Sequence, residues 1–219
     1  MTTPAPRHLR PAAGELPFDL RHASRHLRRA DPVLARLMRR AGPCGLRPRE
    51  TQSLFHALSE SIVYQQLSGK AAATILGRVI ALYAPKRFPA PRDILGTPDA
   101  ALRGAGLSAA KTAALKDLAA KTLEGTVPTM ARVRRLEDEE IIERLTTVRG
   151  IGIWTVQMLL MFRLGRPDVL PVGDLGIRKG FALTYGLEEL PGPAELTDHA
   201  ERWRPFRTVA SWYMWRALD

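Results

Sequence analysis

A chain of 219 residues is long enough to bury a full hydrophobic core, and its 33 Lys and Arg against 22 Asp and Glu give it a net charge of +11. That charge favours a polyanionic partner or an acidic membrane surface, but no apolar run reaches the roughly 18 residues of a membrane-spanning helix. The single Cys44 excludes an internal disulfide and a four-cysteine iron–sulfur cluster, and the Arg-rich start lacks a secretory core, so we expect a soluble cytoplasmic protein.

The N-terminal part of the chain predicts a tail and two short helices. Residues 1–16 mix Pro, Thr, Ala and Arg without a period, which indicates a flexible basic tail. Two helical patterns follow over residues 17–40, and Asp31, followed by a proline, is the predicted N-cap of the second. His22 and His26 stand one helical turn apart, but no third ligand completes a metal-binding motif, so a solvated basic helix is the simpler interpretation.

Apolar residues at helical spacing predict three longer helices in the next part of the chain, over about residues 48–65, 70–84 and 109–123. The connection between the first two reads Tyr64-Gln65-Gln66-Leu67-Ser68-Gly69, and its periodicity indicates only a polar turn. A shorter helix is predicted to begin at Thr97-Pro98. Gly106-Leu107-Ser108 ends that helix and caps the next.

A helix, a hairpin and a second helix are predicted between Asp138 and Gly186. Ile141, Ile142, Leu145 and Val148 share one helical face, then comes Gly150-Ile151-Gly152, then an almost wholly apolar helix over residues 153–164. The two glycines supply the backbone freedom that a tight turn needs. Unpaired N–H groups at the start of the second helix offer a site for a phosphate, so this hairpin is expected to grip a nucleic-acid backbone.

Asp174 follows a loop with the sequence Leu170-Pro171-Val172-Gly173 and precedes a helix that ends at Gly186. An aspartate in that position is most simply an N-cap. Beyond a Pro- and Gly-rich connection, a last helix begins near Pro205 and carries several aromatic residues, of which Trp212 and Trp215 share a face. Because no strand pattern interrupts the series, we predict an all-α fold with residues 17–219 as one domain.

The hairpin, the Leu170-Pro171-Val172-Gly173 loop and Asp174 together resemble the helix-hairpin-helix DNA glycosylase superfamily, with the likeness clearest from about residue 51 to residue 216. The chain is most similar to the 3-methyladenine DNA glycosylase II branch, because Trp154 stands where base-excising lyases carry a lysine. The resemblance implies two helical subdomains with the active-site cleft between them. A central subdomain would span roughly 51–165, and N-terminal helices would pack with C-terminal helices at roughly 174–219.

The resemblance also implies roles for individual residues. Asp174 matches the catalytic aspartate, and Gln66 or Leu67 matches the side chain that fills the gap left by an extruded base. The base pocket would be lined by Trp154, Trp215, Met158 and Tyr64. The DNA phosphates would be bound by Arg149, Gly150, Gly152, Arg178 and Lys179.

These roles imply a monofunctional glycosylase that excises alkylated bases from damaged double-stranded DNA, without strand cleavage, because the indole of Trp154 is no nucleophile. We expect a nucleoid-associated monomer without a cofactor, although relatives commonly hold a monovalent cation with hairpin carbonyls. Two alternatives stay open. One is a glycosylase of the same fold for a deaminated or oxidised base, and the other is a helix-hairpin-helix DNA-binding module without catalysis.

Overall fold

The computed structural model describes residues 15–49, 51 and 53–219. The predicted basic tail lies outside these residues except for Glu15 and Leu16. Within the described part of the chain the regular structure is helical and contains no strand, which confirms the predicted all-α class. No helix in that part is long and apolar enough to cross a membrane.

The helices follow one another with short connections. Their bounds are α1 Leu20–Ala30, α2 Pro32–Ala41, α3 Leu54–Tyr64, α4 Gly69–Ala81, α5 Pro91–Gly96, α6 Asp99–Gly104, α7 Ala109–Glu124, α8 Met130–Val133, α9 Asp138–Thr146, α10 Ile153–Leu159, α11 Leu175–Tyr185, α12 Pro193–Ala200 and α13 Arg207–Arg216. A π-helical turn, Leu160–Leu164, follows α10, and a 3₁₀ turn, Glu201–Trp203, follows α12. The chain forms two compact units. The first contains α1, α2 and Leu160–Asp219, and the second is Thr51–Leu159.

The first unit has a core built by α1, α2, α11, α12 and α13, in which the side chains of Trp203 and Tyr213 are fully buried. Helices α11 and α13 approach so closely that a Cβ atom on Gly180 would overlap the backbone carbonyl of Met214. Only glycine permits this approach. It fixes the start of α11 relative to α13, and these are the helices that carry Asp174 and Trp215.

Asp31 is the N-cap of α2, as predicted, and its carboxylate also ties several elements of the first unit together. One oxygen accepts the N–H groups of Val33 and Leu34. The other accepts hydrogen bonds from the hydroxyl of Tyr185 at 2.5 Å, the indole of Trp203 at 3.0 Å and the ring of His199 at 3.1 Å. Burial alone would raise the pKa of this carboxyl, but the hydrogen bonds outweigh burial and lower the pKa.

Three helices, α5, α8 and α12, are not predicted by the sequence patterns. The prolines and glycines after Gly186 predict only a connection to the last helix, so α12 within it is missed. Gly192 is the N-cap of α12 and Pro193 occupies its first turn, where a proline is compatible with a helix. Helix α3 also begins later than predicted, because the side chain of Ser53 accepts the N–H of His56 and caps the helix there.

Candidate active site

Asp174 is the N-cap of α11, and the oxygen Oδ1 of its half-buried carboxylate accepts two hydrogen bonds. The backbone N–H of Ile177 donates one at 2.9 Å, and the indole N–H of Trp215 on α13 donates the other, also at 2.9 Å. The first bond is the ordinary capping contact that the sequence indicates. The second comes from a residue 41 positions away, and N-capping of a helix does not require such a bond. The start of a helix is also a favourable place for a negative charge, because the helix dipole is positive there.

Gly176 makes room for this pair. A Cβ atom at that position would lie 2.9 Å from Cδ1 of Trp215 and 3.0 Å from Oδ1 of Asp174, closer than side chains pack. The ring of Phe162 packs beside the indole of Trp215, with the two ring centroids 5.8 Å apart. Sequence reasoning missed Gly176 and Phe162, and the signal for the first was a glycine two residues after the candidate carboxylate.

Two basic residues of α11 are predicted to bind phosphate, and their surroundings differ. Arg178 is half-buried, and its Nε donates a 2.8 Å hydrogen bond to the carbonyl of Pro191, so part of its guanidinium holds the connection before α12. Lys179 is exposed and makes no ion pair within the described residues. Of the two, Lys179 is the better placed to meet a phosphate from solvent.

The hairpin between α9 and α10 has the predicted tight geometry, but its two glycines have different roles. Gly150 has φ +77°, a left-handed conformation that favours glycine, whereas Gly152 does not have a left-handed φ. The expectation that both supply backbone freedom is therefore wrong for Gly152. A Cβ atom there would meet no atom within 4 Å, so the protein itself does not require glycine at this position.

Donor groups are available on this hairpin. The backbone N–H groups of Gly150 and Gly152 donate no hydrogen bond to any described residue. The side chain of Arg149 is exposed, while its backbone N–H donates a 2.7 Å hydrogen bond to Oδ2 of Asp117 on α7. The hairpin thus presents two free N–H groups and one exposed guanidinium.

Helix α7 supports the hairpin through two residues that sequence reasoning missed. Asp117 accepts the N–H of Arg149, and the ammonium of Lys121 bridges Asp117, at 2.9 Å, and the carbonyl of Thr147. Burial alone would raise the pKa of Asp117, but these donors outweigh burial and lower the pKa. Both partners of the hairpin come from residues that are about 30 positions earlier, so no local pattern indicates them.

The polar connection after α3 is a type II turn. The N–H of Leu67 donates to the carbonyl of Tyr64 at 3.3 Å, Gln65 has φ −53° and ψ 132°, and Gln66 follows with φ +56°. Within the described residues Gln66 is the only non-glycine residue with a positive φ. Gln66 and Leu67 are both exposed, so the turn presents them to solvent at a strained apex.

Two further contacts hold this turn. The amide nitrogen Nε2 of Gln65 donates a 2.8 Å hydrogen bond to the carbonyl of Gly150. The ammonium of Lys111 on α7 donates to the carbonyls of Val63 and Gln65, both at 2.7 Å, and burial lowers its pKa. The structure therefore joins the turn that carries Gln66 and Leu67 to the predicted phosphate-binding hairpin.

The predicted base-pocket residues lie in both units. Trp154, the second residue of α10, exposes 51% of its surface, and Met158 follows one helical turn later. Tyr64 is half-buried at the end of α3, whereas Trp215 belongs to the first unit. The pocket as a whole stays a prediction. Among the described residues no group of His, Cys, Asp and Glu could hold a metal ion, and this includes the pair His22 and His26.

Comparisons with known proteins agree on one family. The family described as HhH-GPD superfamily base excision DNA repair protein matches residues 60–205. The DNA-3-methyladenine glycosylase 1 of Schizosaccharomyces pombe is 38% identical over 205 residues, which cover 92% of this chain and 89% of that protein.

Solved structures of similar proteins have the same fold. The S. pombe 3-methyladenine DNA glycosylase in complex with abasic DNA superposes with a TM-score of 0.76, at 38% identity over 89% of this chain and 95% of that one. A DNA-3-methyladenine glycosidase from Bacillus halodurans gives a TM-score of 0.80, at 36% identity over 89% of this chain and 88% of that one. With a carboxylate held at a helix start, a glycine hairpin with free N–H groups and these matches, the chain belongs to the HhH-GPD superfamily of base excision DNA repair proteins.

Proposed function

We propose that this protein is a DNA glycosylase of base excision repair that extrudes an alkylated base of the 3-methyladenine type from duplex DNA and hydrolyses its N-glycosidic bond. The observation that carries the proposal is the Asp174 carboxylate, oriented by Trp215 at the start of α11. The 38% identity to an S. pombe enzyme named for 3-methyladenine supports the substrate class.

Asp174 has the chemistry that this reaction needs. As the bond between the sugar and the base stretches, its electron pair moves to the base and positive charge develops on the sugar. A fixed carboxylate beneath C1′ stabilises that charge, and it accepts a proton from the water that adds to C1′. Because an alkylated purine such as 3-methyladenine is already cationic, it leaves as a neutral molecule without a strong general acid, and the reaction consumes only water.

The hydrogen bonds to Asp174 support this role. The N–H groups of Ile177 and Trp215 both point at Oδ1, so the orientation of the carboxylate is set by two donors from different helices. Such preorganisation lowers the barrier because the carboxylate need not reorient as charge develops. Gly176 permits this arrangement, since any larger side chain would push the indole and the carboxylate apart.

The DNA grip in this proposal is independent of sequence. The N–H groups of Gly150 and Gly152 bind one phosphate, and Arg149 and Lys179 add charge. The open space above Gly152 supports this, because a phosphate oxygen can approach the backbone there only if no side chain intervenes. A monovalent cation held by carbonyls of this hairpin would supply further positive charge for binding DNA.

Gln66 is our choice for the wedge that fills the gap left by the extruded base, with Leu67 as its neighbour. A left-handed conformation costs a non-glycine residue roughly 1–2 kcal/mol, and such strain persists mainly where function requires the side chain. A wedge of this kind replaces part of the base stacking that is lost on extrusion.

Trp154 contributes to base selection and to the outcome of the reaction. An exposed indole face attracts a cationic base by roughly 1–2 kcal/mol, which favours an alkylated base over a neutral one. Indole has no nucleophile for a Schiff base, so we propose that the enzyme leaves an abasic site in an intact strand. Trapping of a protein–DNA adduct with borohydride would contradict this part of the proposal.

The decisive experiment measures free 3-methyladenine released from methylated duplex DNA. We expect release by the wild type, and a loss of about 10²- to 10⁴-fold for Asp174→Asn with abasic-DNA binding retained. A panel of duplexes with deaminated or oxidised bases separates this function from excision of another lesion. Tight DNA binding without release of any base would favour the non-catalytic DNA-binding module instead.

A further inference from the structure

We infer that Gln65 is a positioning residue that holds the wedge turn, residues 64–67, against the phosphate-binding hairpin. Binding of the DNA backbone and insertion of the wedge side chain into the base stack then occur together. The inference rests on the proposed function, because it assigns the wedge to this turn. Gln65 itself is not the wedge. It acts through Gln66, the neighbouring residue at the apex of the turn.

The direct link is a single hydrogen bond between segments that are 85 residues apart. Nε2 of Gln65 donates to the carbonyl oxygen of Gly150 at 2.8 Å. Gly150 is the point at which the hairpin reverses, and its φ of +77° sets the direction of that carbonyl. The donor and the acceptor are therefore both located where the two predicted DNA-binding segments change direction.

Lys111 keeps the backbone of the turn from shifting beneath this link. Its ammonium donates 2.7 Å hydrogen bonds to the carbonyls of Val63 and Gln65, two of the carbonyls that the end of α3 leaves without helical partners. With its backbone held in this way, Gln65 directs its side chain to the hairpin rather than to solvent.

Helix α7 holds the hairpin as well as the turn. Asp117 accepts the N–H of Arg149, and Lys121 binds the carbonyl of Thr147, so α7 contacts the hairpin just before Gly150. The bond from Gln65 to Gly150 closes this arrangement, in which α7, the turn and the hairpin each contact the other two. A phosphate bound at the hairpin would then fix the position of Gln66 relative to the DNA.

A purely structural role for the Gln65–Gly150 bond would predict that its loss destabilises the fold, and the surroundings of the bond argue against this. The Gln65–Gly150 bond is exposed, so its loss exchanges one partner for water and changes the unfolding equilibrium little. The turn has no side chain buried in the core at Gln65, Gln66 or Leu67. The orientation of the apex therefore depends on this bond far more than the stability of the fold does.

The test is a double-mutant cycle with Gln65→Met, which keeps the length of the side chain and removes the donor, and Gln66→Ala, which removes the wedge. The probe is a duplex with a tetrahydrofuran abasic analogue beside 2-aminopurine, whose fluorescence change at saturating protein reports wedge insertion. The dissociation constant of the same duplex reports how tightly the protein binds DNA. We expect Gln65→Met to reduce the fluorescence change about fivefold in the wild-type background and not at all in the Gln66→Ala background.

An unchanged fluorescence signal in Gln65→Met would overturn the inference, as would an equal reduction in both backgrounds or the absence of a signal in the wild type. A fall in the unfolding temperature that accounts for the reduced fluorescence change would overturn it too. The measurement requires no bond cleavage. A wild type that inserts its wedge but releases no 3-methyladenine would refute the proposed function and leave this inference standing.

Discussion

Trp215 donates its indole N–H to the carboxylate oxygen of Asp174 that also accepts the N–H of Ile177. A tryptophan expected to stack on a base is thus also the residue that orients the candidate catalytic group. The close approach of α11 and α13 at Gly180 makes this contact possible, because it holds the helix that begins at Asp174 against the helix that carries Trp215.

Trp215→Phe is expected to lower base excision about 10- to 100-fold, because a hydrogen bond to a charged group contributes about 1.5–3 kcal/mol and its loss frees the carboxylate to rotate. Single-turnover release of 3-methyladenine measures the effect. Trp212→Phe is the matched control, since that half-buried ring lies on the same helix and packs against the core. Equal rates for the two variants would show that the indole N–H does not contribute.

Gly176→Ala is expected to reduce excision about tenfold or more with little change in the unfolding temperature. The added Cβ would lie 2.9 Å from the indole of Trp215, so the indole or the carboxylate must move. The higher helix propensity of alanine, up to about 1 kcal/mol, offsets part of the cost to the fold. Gly77→Ala on α4 is the control, because a Cβ atom there meets nothing within 4 Å and activity should not change.

The two hairpin glycines should respond differently to alanine. Gly152→Ala leaves the unfolding temperature unchanged but weakens binding to abasic DNA, because the methyl group occupies the space that we assign to a phosphate. Gly150→Ala destabilises the fold by about 1–2 kcal/mol, because its φ of +77° is unfavourable for alanine. Thermal unfolding and DNA titrations at fixed salt distinguish the two effects. Wild-type affinity in Gly152→Ala would refute the phosphate site.

Because of the cluster around Asp31, the free energy of unfolding should decrease in two steps as the pH is lowered. Burial lowers the pKa of His199 despite the nearby Asp31, so below its ordinary value of 6.5 the unfolded chain takes up a proton more readily than the folded one. The pKa of Asp31 is also lowered, so its contribution is present above the ordinary 3.8 and disappears as the pH falls further. Unfolding temperatures between pH 8 and pH 3 should show both declines.

His199→Gln is the variant that separates these two steps. It should remove the decline that begins near pH 6.5, because glutamine does not titrate, and leave the decline at lower pH, which belongs to Asp31. A His199→Gln profile that still falls between pH 7 and pH 5 as the wild type does would assign the first step to another group.

Local patterns in the sequence predicted the features that depend on a few neighbouring residues. The N-cap roles of Asp31 and Asp174 and the left-handed turn at Gly150 are of this kind, since their partners lie within three or four positions. The error at α12 had a local cause as well. Pro and Gly are typical of connections, but a Gly-Pro pair also begins a helix.

By itself, the sequence determined the helical class, the hairpin and the capping aspartate, because helix periodicity, turn residues and caps are set by short-range contacts along the chain. Only the tertiary structure decided that Trp215 holds Asp174 and that Gln65 holds Gly150. These contacts join segments 41 and 85 residues apart, and such a pair has no spacing that marks it in advance. Packing of the helices brings the partners together, and the close approach at Gly180 shows how one missing side chain permits it.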